Sequence, residues 1–120
     1  MIDIDSFKKL NDEKGHLYGD QILFEIGKNL SKYNSANSIA ARYGGDEFLL
    51  LFTAADNKKL RVLKSELKCL FNHQIIVDGK KEMIRVSLGS ASYPKDEKTL
   101  NELIFKADKN LYSVKRKHNN

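Results

Sequence analysis

Apolar residues recur along this chain in two rhythms. At the start, Ile2 and Ile4 alternate with Asp3 and Asp5, the period-two pattern of a strand end with its acids on one face. From Gly19 the rhythm lengthens. Ile22, Leu23, Ile26 and Leu30 fall at helical spacing, and the polar run Asn34-Ser35-Ala36-Asn37-Ser38 stops the helix they predict. Ile39-Ala40-Ala41 and Phe48-Leu49-Leu50-Leu51-Phe52 are strand-like runs on either side of Gly44-Gly45, which predicts a β-hairpin whose glycines can both take positive φ. Asp56 can cap a second helix with the stripe Leu60, Leu63, Leu67, Leu70 and Phe71. Asp78-Gly79 predicts another hairpin, between Ile75-Ile76-Val77 and a long strand from Met83 to Ala91 that Pro94 ends. Thr99 and Glu102 match a capping box, opening a last helix with Leu103, Ile104, Ala107, Leu111 and Val114 turned inward.

The order β-α-β-β-α-β-β-α, with hairpins making much of the sheet antiparallel, predicts an α+β sandwich of ferredoxin-like kind with helices packed on one face. Composition narrows the class. At 120 residues one domain is expected, and 41% hydrophobic with 31% charged residues fits a soluble globular chain. No apolar run approaches the roughly 20 residues of a membrane span, and no leader pattern is present. The single cysteine, Cys69, falls among apolar positions of the second helix and is expected to be a buried spectator in a reducing, cytoplasmic setting. The net charge of +5 is spread along the chain as a solvated face. A basic ferredoxin-like RNA-binding module would carry stacking aromatics on its sheet, whereas Phe48–Phe52 reads as a buried strand with phosphate-repelling acids at its start.

The chemistry concentrates at three places. If the first strand lies beside the Gly-Gly hairpin, Asp3 and Asp46 converge, with Glu47 adjacent. Carboxylates so placed repel one another unless a cation sits between them, and Mg²⁺ suits a few carboxylates plus phosphate oxygens. Glycines without Cβ atoms leave room for a bulky anion, so a turn open to phosphate with acids at its edge suggests nucleotide chemistry. Ser6-Phe7-Lys8 follows the strand, where backbone N–H groups and a lysine can hold phosphate. Asn11 and Asp20 flank the Gly15-His16 turn, and an amide with a carboxylate is the pair needed to read a guanine edge. Lys115 lies near the end of the last helix, within possible reach of phosphates.

Asp3-Ile4-Asp5-Ser6-Phe7-Lys8-Lys9-Leu10-Asn11-Asp12, Gly15-His16, Gly19-Asp20, Gly44-Gly45-Asp46-Glu47-Phe48, Ser87-Leu88-Gly89 and Ala107 to Lys115 together resemble the GGDEF domain of diguanylate cyclases, over essentially the whole chain. The resemblance implies a nucleotidyl-cyclase palm-type central antiparallel sheet flanked by helices. It implies condensation of two GTP into cyclic di-GMP with release of two pyrophosphates, in bacterial second-messenger signalling. It implies that Asp3, the Ile4 carbonyl and Asp46 hold Mg²⁺ (or Mn²⁺), and that Asp46 or Glu47 deprotonates the 3′-hydroxyl. Lys8 would stabilise phosphate charge with the Phe7 backbone N–H, Asn11 and Asp20 would read guanine near His16, Gly44 and Gly45 would border the substrate, and Lys115 would touch phosphate. Each domain would hold one GTP, so a homodimer joins two half-sites, under an upstream sensor or receiver domain in the parent protein; nucleic acid and membrane are not expected partners of this domain.

Three departures qualify what the resemblance implies. The family's inhibitory Arg-x-x-Asp motif would fall at Ser35 and Ser38, so no inhibitory product site is expected. His118-Asn119-Asn120 stand where a phosphate-binding cation is usual. Relative to the family, the chain begins inside the first strand, without the preceding helix, which is expected to lower its stability. A second reading is therefore a weakly active or non-catalytic guanine-nucleotide-binding module of the same fold.

Overall fold

Ile2–Ile4 forms β1, the strand from which the sheet extends in both directions. The computed structural model describes residues 1–53, 55–71 and 74–118. After β1 come α1 (Phe7–Lys14), α2 (His16–Leu30), a 3₁₀ turn at Ser31–Tyr33, β2 (Ser38–Gly44) and β3 (Glu47–Phe52). The chain continues through α3 (Asn57–Phe71), β4 (Gln74–Val77), β5 (Lys80–Met83), β6 (Val86–Leu88) and α4 (Leu100–His118). The main sheet runs β2-β3-β1-β6, every neighbour antiparallel, with β1 between β3 and β6. This is the α+β architecture that the hydrophobic rhythms predict.

Several local expectations are corrected. Phe7–Lys14 is helical, and α2 starts at His16 rather than at Gly19. Gly15, at φ 91°, separates the two helices, a backbone state that glycine adopts without steric cost. The long strand from Met83 to Ala91 is in fact two. β5 pairs only with β4 in a separate two-stranded sheet, and β6 joins the main sheet beside β1. Asp78 and Gly79 both take positive φ, 51° and 72°, as a two-residue hairpin turn requires.

The helices lie on both faces rather than one. Ile2, Ile4 and Phe48 join Ile22, Ile26 and Leu30 of α2 in one core, whereas Met1 packs with Ala107 and Leu111 of α4, backed by Leu49. The pleat explains this, since neighbouring residues of β1 and of β3 point to opposite faces. On the α4 face an apolar cavity of about 580 Å³ opens between α3 and α4, lined by Leu49, Leu51, Leu60, Leu103 and Ile104.

Helix starts follow the capping expectations. Lys59 N–H donates to Asp56 Oδ1 at 2.7 Å and Glu102 N–H to Thr99 Oγ1 at 3.2 Å. In α3 Leu67 is buried, but Cys69 is exposed, not a buried spectator. Two positions past Leu67 it has turned about 200° round the helix, away from the core. The side chains of Leu70 and Phe71 lie outside the described ones, as do Asn119 and Asn120. Among the described residues no helix is long and apolar enough to cross a membrane.

Candidate active site

Pairing of β1 with β3 sets Asp3 directly opposite Glu47, and the Ile4 N–H donates to the Asp46 carbonyl at 3.2 Å. Acids distant in sequence therefore meet at one end of two central strands. Asp3 is 7% exposed. Burial first, then the charges of Asp46 and Glu47, push its carboxyl from the ordinary 3.8 to about 6. Lys115 opposes this by donating to Asp3 Oδ1 at 2.6 Å from α4. Burial, followed by Asp108 and Asp46, pushes Glu47 upward as well.

The hairpin turn itself is Gly45-Asp46, because β2 ends at Gly44 and β3 begins at Glu47. Neither Gly44 nor Gly45 lies in the left-handed region, so the expectation of positive φ there is corrected. A bulge between Arg42 and Gly44 inserts Tyr43 and turns the chain without it. What the glycines provide is access: an ideal Cβ at Gly45 would meet nothing within 4 Å. Arg42, to which the sequence assigned no role, braces the turn by donating from Nη2 to the Gly45 carbonyl at 2.7 Å and from Nε to the Gly44 carbonyl at 3.3 Å.

A second group forms where α1 meets α2. Gly19 is buried there, and an ideal Cβ on it would stand 1.8 Å from Asn11 Oδ1 and 3.2 Å from Phe7 Cζ. Only glycine permits this approach. Asn11 Oδ1 is buried against Gly19 and has no hydrogen-bond partner among the described residues. Asp20 follows at once, exposed on the rim of an open groove of about 720 Å³ between α2 and β2, which Leu23, Phe24 and Arg42 also line. Lys8 and His16 are exposed on α1 and at the first position of α2. The structure thus joins Asp3, Ile4, Asp46, Glu47 and Lys115 in one cluster, and Phe7 and Asn11 in another beside Asp20. The turn from β1 into α1 connects them: Ser6 sits at φ 57°, and Asp5 is held by its N–H on the carbonyl of Arg85, just before β6, at 2.9 Å and by the Ser87 hydroxyl of β6 at 2.7 Å.

Among the described residues no three His, Cys, Asp or Glu side chains form a ready-made metal cage. Two carboxylates and a main-chain carbonyl on a partly buried, acid-rich edge nevertheless fit a hard cation that draws its other ligands from phosphate and water. Ser35 lies in the loop before β2 and Ser38 opens that strand, and their hydroxyls bond each other at 2.7 Å.

Comparison with known proteins bears on this geometry. The family model for the diguanylate cyclase GGDEF domain matches residues 1–120. Diguanylate cyclase A of Treponema denticola is 36% identical over 121 residues, which cover 100% of this chain and 33% of that protein. The chain thus spans about a third of that curated relative. A sensory box/GGDEF family protein from Caulobacter crescentus superposes with a TM-score of 0.85 at 36% identity, over 97% of this chain and 76% of that one. The GGDEF domain of YfiN (TpbB) from Pseudomonas aeruginosa gives 0.89 at 31% identity, over 97% and 73%. Matched by that family model over residues 1–120, and by relatives and solved structures over nearly its whole length, the chain belongs to the diguanylate cyclase GGDEF-domain family.

Proposed function

We propose that this domain condenses two GTP into cyclic di-GMP and two pyrophosphates, as one half of a two-fold dimer. The observation that carries the reading is the convergence of Asp3, Asp46 and Glu47 beside the open Gly45 turn, with the Asp3 carboxyl raised to about 6 by burial and by its acidic neighbours. Asp3, the Ile4 carbonyl and Asp46 would hold Mg²⁺ or Mn²⁺. Bound there, the cation offsets triphosphate charge and lowers the pKa of a nearby hydroxyl.

The chain's own residues have separable tasks in this reading. Asn11 and Asp20 read the guanine edge beside His16, which follows Gly15 at the break between the two helices. The Phe7 N–H and Lys8 steady the phosphates across the Gly44-Gly45 bend. Lys115, the counterion of Asp3, is near enough to share its charge with a phosphate oxygen. Between Asp46 and Glu47 we assign the proton to Glu47, because Asp46 is engaged with the cation in this reading while Glu47 stands beside it opposite Asp3. The 3′-hydroxyl of one GTP attacks the α-phosphorus of the other in line, its proton passes to Glu47, and pyrophosphate leaves. The same step in reverse roles closes the ring. Positioning and electrostatics do most of the work in such a transfer. Sensing, by a sensor or receiver domain, belongs to parts of the parent protein beyond this domain.

Incubating the chain with GTP and Mg²⁺ tests the proposal. Cyclic dinucleotide is expected, and Asp46→Asn is expected to lower its rate by about a thousandfold or more. GTP binding without any dinucleotide would replace this reading with that of a non-catalytic nucleotide sensor.

A further inference from the structure

The β4–β5 hairpin stands outside the main sheet, yet it reaches back to the corner between α1 and α2. Glu82 of β5 accepts a hydrogen bond from the Tyr18 hydroxyl of α2, and the same carboxylate oxygen pairs with the Lys14 ammonium of α1 at 3.1 Å. Lys14 also lies 5.0 Å from the centre of the Tyr18 ring. Lys14 is the last residue of α1 and Tyr18 lies in the first turn of α2, so one carboxylate grips both sides of the Gly15 break. Its side chain is 16% exposed and that of Lys14 45%, so the Tyr18 bond is the better shielded of the two. The Tyr18 hydroxyl holds the Glu82 carboxyl below the usual carboxylate range, as a charge-assisted bond would. Hydrophobic anchors keep the hairpin in place: Ile75 and Val77 of β4 are buried in the main core.

We propose that Glu82, with Tyr18 and Lys14, is a positioning clamp that fixes the separation of α1 and α2 and thereby the geometry of the base-reading pair Asn11 and Asp20. This rests on the reading of those two residues given above. Asn11 lies one turn before Lys14 and Asp20 two residues after Tyr18. The two helices meet closely at Gly19, where the Asn11 side chain occupies the space that a Cβ would take. Gly15 is a pivot with open space around its Cα, since an ideal Cβ there meets nothing within 4 Å. A tight contact on one side of an open pivot leaves the angle between the helices to be set by a third element, and the Glu82 carboxylate supplies it. A small change in that angle moves an amide and a carboxylate that must address the same base edge together. Discrimination between bases is the property most sensitive to it, because a mispositioned partner leaves a polar group unpaired.

The test compares GTP and ATP, each with Mg²⁺, on the full chain by calorimetry and steady-state kinetics. Glu82→Ala is expected to weaken GTP binding by about tenfold, to leave ATP nearly unchanged and so to collapse the preference between them. Tyr18→Phe should do the same in smaller measure. Glu82→Gln, which still accepts from Tyr18, should recover most of the preference. A GTP-to-ATP ratio that stays at the unsubstituted value in Glu82→Ala, while thermal stability falls, overturns the clamp and leaves a structural contact only. Absence of GTP binding by the unsubstituted chain overturns the base-reading assignment itself, and is seen before any variant is made.

Discussion

On one side of the sheet, Ile22 and Ile26 are 0% exposed and Leu30 1%, and they close over Ile2, Ile4 and Phe48. On the other, α3 and α4 stand apart around the cavity of about 580 Å³. The candidate site residues divide along the same line. The α2 face supplies rigidity: it holds β1 and β3 in the register that sets Asp3 opposite Glu47, and it carries Asp20. The α4 face supplies charge, with Lys115 on Asp3 and Asp108 acting on Glu47. Precise placement and electrostatic tuning thus come from opposite faces of one sheet, and substitutions on each side should be separable.

The largest contrast is in stability. Ile26→Ala should cost about 3–4 kcal/mol in denaturant unfolding, because the sealed core leaves a cavity that cannot collapse. Leu103→Ala, already facing empty space, should cost under about 1.5 kcal/mol, since fewer neighbours lose contact. Equal losses would erase the distinction between the faces.

A pH series sharpens the electrostatic half. An acid whose pKa stands higher folded than unfolded binds its proton more tightly in the folded state. Without divalent cation, the Asp3 contribution should therefore raise stability as pH falls from about 6 to 4, by at most about 1.4 kcal/mol per unit. Above pH 6 the penalty is constant. Glu47, shifted in the same direction, adds to the slope. In Asp3→Asn the Asp3 part should vanish; an unchanged slope would place the titration elsewhere.

The smallest effect concerns α4 alone. Thr99→Ala removes its N-terminal cap and should cost about 1 kcal/mol, with circular dichroism showing fraying of that helix and β-sheet signal retained. Loss of the whole fold at that cost would show the α4 face to be tighter than its cavity suggests.

Much of this was legible in the residues and some was not, for physical reasons. The Gly-Gly-Asp-Glu turn, the Asp78-Gly79 hairpin and the amphipathic stripes of α2 and α4 are local patterns with one reading each. Phe7–Lys14 escaped because eight residues with only Phe7 and Leu10 apolar make no stripe. Met83 to Ala91 read as one strand because alternation persists through it, while the change of partner from β4 to β1 is a tertiary event. The Lys115–Asp3 and Tyr18–Glu82 bonds join positions 112 and 64 residues apart, and no local signal announces either. The bracing role of Arg42 was likewise hidden, because it depends on the bulge at Tyr43.

Gly89, just past β6, presses bare backbone against α4: an added methyl would come within 2.2 Å of the Ala107 carbonyl oxygen and 2.3 Å of the Leu111 nitrogen. Strand end and helix therefore have no cushion of side chain between them and travel as one piece. Lys115, one turn beyond Leu111, inherits that stiffness, so its ammonium is carried to Asp3 by a rigid lever rather than by the wandering of a long side chain alone.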